Sequence, residues 1–218
     1  MPEQVTPNEN LVFYHAPNSR SGGTLALLEE LGVPYELQLV DIRSGAQRRP
    51  EYLGVNPMGK VPAITHGDAV VTEQVAIYLY LADQFPAANL APGLSDPLRG
   101  PYLRWLVFYA AAFEPALSDR ATNHAPSQSM CPYGDFDTML ATLRGQLAPG
   151  PYLLGDRFTA ADVLWGMALG WATSFKLVPG TEDIAAYVAR VQGRPAAVRA
   201  RETDARLAAE MAQAQPQA

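Results

Sequence analysis

The segment APNSRSGG, residues 16–23, packs a carboxamide (Asn18), two hydroxyls (Ser19, Ser21) and a guanidinium (Arg20) into four consecutive positions. Carboxamides and hydroxyls donate hydrogen bonds, so an anion formed beside Asn18 or Ser19 would be stabilised. The same residue types also start helices, by accepting from backbone N–H groups. Spacing alone leaves both roles open. The segment holds no cysteine or tyrosine, hence neither a redox thiol nor a phenol. A second pair, Glu73 and Gln74, opens an apolar-periodic run. A helix N-terminus presents N–H groups without intrahelical partners and a partial positive charge, which suits a carboxylate ligand. Glu73 can accept from an ammonium group, or simply complement the helix dipole. A third group is Lys60-Val61-Pro62. Pro62 cannot donate to a sheet ladder, so a strand beginning there leaves an edge or a bend.

These groups need elements to hold them. LVFYHA (11–16) is short and apolar and reads as a buried strand. In TLALLEELG, Leu27, Leu28 and Leu31 share a helix face, and Gly32 then Pro34 end the helix. YELQLVDI alternates as a half-buried strand. A strand-helix-strand crossover of this length favours a parallel pair. Two short strands then flank His66-Gly67-Asp68, a hairpin signal. Thr72 is the expected N-cap of a helix that Pro86 ends. The βαβ-ββα unit spans 10–86, and 87–93 read as a linker. The remainder, 94–210, reads as helical, with a frayed tail over 211–218. FTAADVLWGMALGWATSF is apolar nearly all round and should be the central helix. Thr159 and Asp162 have the spacing of a capping box, and Gly166 and Gly170 would admit a close neighbour.

The chain has 218 residues, ample for a core, and a formal net charge of −6. That charge argues against nucleic acid as a partner. The lone Cys131 cannot form an internal disulfide or a CxxC site, and His15, His66 and His124 lack metal spacing, so no metal is expected. The polar N-terminus lacks the parts of a signal peptide, and no apolar run reaches the roughly 20 residues of a membrane span. A cytoplasmic protein without membrane contact is the expectation.

Three segments carry a resemblance to the glutathione S-transferase superfamily. NPMGKVPAI (56–64) resembles the family's N-P-x-G-x-V-P segment, and VTEQVAIYLYLADQFP (71–86) its T-E-S-x-A-I-x-x-Y-L segment. PYLLGDRFTAADVLW (151–165) resembles the segment around the family's central helix. Their order and spacing match over roughly residues 11 to 200. The resemblance implies an α+β chain, with a thioredoxin-like N-terminal domain followed by an all-α bundle. It implies glutathione as co-substrate, with no metal, and a homodimer.

Carried over residue by residue, it implies a cis bond before Pro62, with the Val61 backbone pairing with the cysteinyl part of glutathione. Glu73 and Gln74 would meet the γ-glutamyl group, although the family usually has Ser where Gln74 stands. Lys60 and Arg20 could reach the ligand's charged ends, and Ser21 falls where redox relatives carry the serine of a C-x-x-S turn. Asn18 occupies the position of the family's usual Ser or Cys, with Ser19 beside it. A free thiol has a pKa near 8.5, so only a few per cent is thiolate at pH 7. A donor that lowers this by about two units is worth roughly 2.7 kcal/mol. Asn18 and Ser19 are therefore the candidate catalytic donors. Trp105, Tyr109 and Phe113, on one helix, are core by pattern, and the resemblance would border one face of that helix with the cleft for a hydrophobic co-substrate. The readings that follow are thiolate attack on a hydrophobic electrophile, glutathione-dependent disulfide reduction, or a non-catalytic interaction subunit of this fold.

Overall fold

A computed structural model describes residues 10–214. The polar residues 1–9 and the last four of the tail, 215–218, lie outside it. The chain divides into two compact units, one of residues up to Ala88 together with those from Pro195, the other Asn89–Arg194.

The first unit is built on β1 (Leu11–His15), α1 (Ser21–Leu31), β2 (Glu36–Leu39), a short α2 (Pro50–Leu53), β3 (Ala63–His66), β4 (Ala69–Thr72) and α3 (Gln74–Gln84). The four strands form one sheet in the order β2-β1-β3-β4. The β1-β2 pair is parallel, as the crossover requires, and the other two pairs are antiparallel. This is the thioredoxin-like arrangement. Leu11, Phe13 and His15 turn the buried face of β1 inward, and Leu25, Leu27 and Leu28 of α1 are fully buried. Gly32 closes α1 in the left-handed region, with its N–H bonded to Leu28 O. The β3-β4 turn uses Gly67 at φ 56. Glu73, not Thr72, is the N-cap of α3, and its φ of 63 lies where non-glycine residues are rare.

The periodicity places 195–210 with the helical domain, whereas α9 (Pro195–Ala214) packs on α1, within the first unit. Residues 211–214 belong to this helix.

The second unit holds α4 (Arg99–Phe108), α5 (Glu114–Ala121), α6 (Phe136–Leu147), α7 (Ala160–Ser174) and α8 (Glu182–Gln192). A π-helical turn, Tyr109–Phe113, joins α4 to α5 just ahead of Pro115. Pro115 has no N–H to give to a helical acceptor, and a widened turn accommodates that loss. The central α7 starts with the capping box of Thr159 and Asp162. Asp162 is buried and accepts from Leu153 N (2.8 Å), Thr159 N (2.9 Å), Thr159 Oγ1 (3.0 Å) and Tyr187 Oη (3.0 Å). Burial pushes its pKa up, and these donors pull against that shift. A Cβ on Gly166 would collide with the Val191 side chain, and one on Gly170 with Gln192, so both glycines admit α8 closely.

Candidate active site

The sheet register brings the three candidate groups together. Tyr14, next to the end of β1, pairs with Ala63, the first residue of β3. Ala63 pairs in turn with Thr72, the last residue of β4. The β1-α1 turn, the Val61-Pro62 bond and the start of α3 therefore gather at one end of the sheet. Gln74 Nε2 closes the arrangement by donating to Arg20 O at 3.0 Å.

The bond before Pro62 is cis. Two side chains hold the backbone just ahead of it: Tyr52 Oη (2.5 Å) and Asn56 Nδ2 (2.8 Å) both donate to Lys60 O. Burial pushes the Tyr52 pKa up to about 12, which keeps its hydroxyl a donor. Asn56 also accepts from Met58 N at 3.0 Å, and Gly59 turns the chain at φ 60. A Cβ at Gly59 would stand 2.7 Å from Gln47 O, so the glycine of N-P-x-G is sterically required. Val61 is partly exposed, and Lys60 is exposed.

At α3 the first intrahelical bond runs from Ile77 N to Glu73 O, so the N–H groups ahead of it have no acceptor within the helix. Glu73 is exposed at that end. The exposed carboxylate and the helix N-terminus together can take a group bearing both an ammonium and a carboxylate.

The β1-α1 turn is tightly bonded. Asn18 is exposed at φ 57, a region asparagine tolerates, and its N–H donates to Asp204 Oδ2 of α9 at 3.1 Å. Ser19 is half-buried; its Oγ lies 2.7 Å from both Ala16 O and Ser21 Oγ. Ser21 is fully buried, and its hydroxyl is engaged within the turn. It accepts from Ala16 N (3.1 Å) and lies 2.8 Å from His15 Nδ1. It does not cap α1, whose N-cap, Arg20, makes no side-chain capping bond. His15 and Asp204 are polar residues of this end that sequence reasoning missed.

Trp105, Tyr109 and Phe113 are buried around Trp165, whose Nε1 donates to Trp105 O at 3.0 Å. They build the core of the helical unit, as their pattern suggests. The neighbouring stripe, Arg104, Val107 and Phe108 of α4 with Ala111 of the π-helical turn, lines a groove of about 350 Å³ completed by Tyr133 and Met139. Among the described residues no three His, Cys, Asp or Glu side chains gather to hold a metal ion, and no helix is long and apolar enough to cross a membrane.

Models of the glutathione S-transferase N-terminal and C-terminal domains match residues 9–83 and 133–202. The chain belongs to the glutathione S-transferase superfamily. It is 31% identical to a glutathione transferase of Methylococcus capsulatus of known structure, covering 89% of this chain and 98% of that one with a TM-score of 0.77. Glutathione S-transferase GstA of Escherichia coli O157:H7 is 29% identical over 84% of this chain and 93% of its own. Disulfide-bond oxidoreductase YfcG of Escherichia coli K12 is also 29% identical, over 84% of this chain and 91% of its own. This glutathione S-transferase thus shares both its domains, in order, with transferases and with an oxidoreductase.

Proposed function

We propose that the chain binds glutathione at the gathered end of the sheet and presents its thiolate to a hydrophobic electrophile. The observation that carries this reading is the register Tyr14–Ala63–Thr72, which sets donor turn, cis-proline loop and α3 N-terminus side by side. In this reading Val61 pairs its backbone with the cysteinyl unit in the manner of an added strand. Glu73 accepts from the γ-glutamyl ammonium, and the α3 N-terminus, with Gln74, takes its carboxylate. Lys60 and Arg20 complement the ligand's negative charge, and no metal is needed. Ser19 donates to the sulfur by turning its hydroxyl hydrogen from Ala16 O, with Asn18, whose backbone is held by Asp204, beside it. The protein contributes proximity and electrostatic stabilisation of the thiolate.

The groove of the helical unit, with Val107, Phe108 and Met139 in its wall, is an apolar surface suited to a hydrophobic compound. A Val107→Glu change should raise KM for a haloarene and leave KM for glutathione unaltered. We further assign a cytoplasmic homodimer; light scattering should give twice the chain mass, and a monomer would refute that assignment.

A second reading is favoured by the cysteine-free turn and by the oxidoreductase relative. Bound glutathione would itself attack a small disulfide, in place of a protein thiol. Retention on immobilised glutathione followed by turnover of a haloarene and of a small disulfide separates the readings. Faster turnover of the disulfide selects the reductase, and failure to bind glutathione overturns both.

A further inference from the structure

His15 lies fully buried at the end of β1 between two polar partners. Its Nδ1 is 2.8 Å from Ser21 Oγ, and its Nε2 is 3.1 Å from Asp204 Oδ1. His15 Nε2 and Asp204 Oδ1 are buried atoms that make no hydrogen bond among the described residues, and they meet each other only at ion-pair distance. Ser21 Oγ continues to Ser19 Oγ at 2.7 Å. Four side chains from β1, the turn, α1 and α9 thus form one line, Asp204–His15–Ser21–Ser19, from a carboxylate to the hydroxyl assigned above to the sulfur. Around the imidazole, Asp204 is the charged group facing it from α9, Ser21 faces it from α1, and the Phe13 ring stands 5.3 Å away on its own strand.

Hydrogen accounting gives this line a direction. A carboxylate only accepts, so the hydrogen of a neutral His15 belongs on Nε2, towards Asp204. Nδ1 is then an acceptor, and the single Ser21 hydroxyl hydrogen has two acceptors in reach, Nδ1 at 2.8 Å and Ala16 O at 3.1 Å, of which Nδ1 is the nearer. One Ser21 lone pair takes Ala16 N–H, and the other is open to the Ser19 hydroxyl. Ser19 Oγ donates to Ala16 O at 2.7 Å, and the line points inward from Ser19 to His15 when that hydrogen turns from the carbonyl to Ser21 Oγ, also at 2.7 Å. A hydroxyl so polarised is ready to receive a proton on its outer side.

We propose that this line is a proton relay for the bound thiol, with His15 as the resident acceptor and Asp204 as its counter-charge. The thiol S–H bond breaks as its proton passes to Ser19 Oγ. The Ser19 hydrogen passes to Ser21 Oγ, and the Ser21 hydrogen to His15 Nδ1. The products are a thiolate, two intact hydroxyls now pointing outward, and an imidazolium held between Ser21 and Asp204. Charge balances: one anion forms at sulfur and one cation at His15, beside a carboxylate already in place. Ser19 ends as the donor to the sulfur anion. His15 and Asp204 touch no substrate and are positioning residues, acting through the serines. The proposal rests on the reading that Ser19 faces the sulfur.

The test compares thiolate formed with protons released. Glutathione is added to the whole protein near pH 7; thiolate is read by its ultraviolet absorbance, and net proton release by calorimetry in two buffers of different ionisation enthalpy. The relay predicts well under one proton released to buffer per thiolate formed. Asp204→Asn preserves an acceptor for Asn18 N–H but removes the counter-charge. It should raise the thiol pKa of bound glutathione, bring release to about one proton per thiolate, lower kcat and leave KM for glutathione unchanged. His15→Gln should do the same; if it does not fold, the Asp204→Asn result decides. One proton released per thiolate by the unaltered protein overturns the relay, as does an Asp204→Asn protein with unchanged thiol pKa and stoichiometry. Ser19→Ala separates the two levels. If it leaves thiolate formation intact, the placement of Ser19 is wrong and the relay falls with it. If it abolishes thiolate while the unaltered protein releases a full proton, the placement stands and the relay alone fails.

Discussion

Replacing Asp162 by alanine removes the acceptor shared by Leu153 N–H, the Thr159 N–H and hydroxyl, and the Tyr187 hydroxyl. Leu153 and Thr159 are fully buried, and Tyr187 almost so. A buried donor left without a partner costs about 1–3 kcal/mol. Three such donors, the two N–H groups and the Tyr187 hydroxyl, would cost more than a single mutation normally does, and a water admitted to the vacated space recovers part. We expect a loss of about 3–5 kcal/mol, a large share of the total stability of an ordinary domain. Thr159→Ala removes only the capping hydroxyl and should cost about 1 kcal/mol. Chemical denaturation followed by far-ultraviolet circular dichroism measures both, provided unfolding is reversible. A loss below about 1 kcal/mol for Asp162→Ala would refute the view that this carboxylate organises the start of α7, and with it the tie between α7 and α8.

Gly166→Ala places a Cβ against the Val191 side chain, so it should cost about 1–3 kcal/mol of stability through overpacking; a neutral result in the same denaturation assay would contradict the close helix approach. Asp183, hydrogen-bonded to Arg144 at 2.7 Å, has its pKa lowered to about 2. A folded-state pKa below the unfolded value near 3.9 means that its stabilisation is fully present above about pH 4 and is lost as pH falls towards 2. Asp183→Asn should therefore flatten that part of the acid-unfolding curve, and an unchanged curve would remove the ion pair from the account.

Much of the first unit was legible because its signals are local. Gly32, the Gly67 turn and the two strand periods each act within a few residues. The capping box was legible for the same reason, since its partners stand three residues apart, whereas the cis bond before Pro62 was expected only from the family resemblance. Thr72 was misread as a cap because nothing in TEQV announces that Glu73 must adopt a positive φ. The Trp105 stripe carried an ambiguity of its own: α4 is apolar on more than one side, and periodicity cannot say which side meets α7. The support of the turn was invisible for a different reason. Asp204 lies 186 residues from Asn18, on a helix whose pattern shows an amphipathic face but not its address. Until α9 is known to pack on α1, His15 reads as one aromatic among several in LVFYH. The Tyr52 and Asn56 bonds to Lys60 O likewise depend on how the chain returns from α2, which no spacing encodes.

Calorimetric titration of the protein with glutathione, repeated on Glu73→Gln, tests the central claim most directly. The account predicts one site per chain and an affinity lowered roughly 10- to 150-fold by the substitution, equivalent to the 1.5–3 kcal/mol of a charged hydrogen bond. Saturable binding that Glu73→Gln leaves unchanged would contradict the assignment of the α3 N-terminus, and no binding at all would contradict the site as a whole.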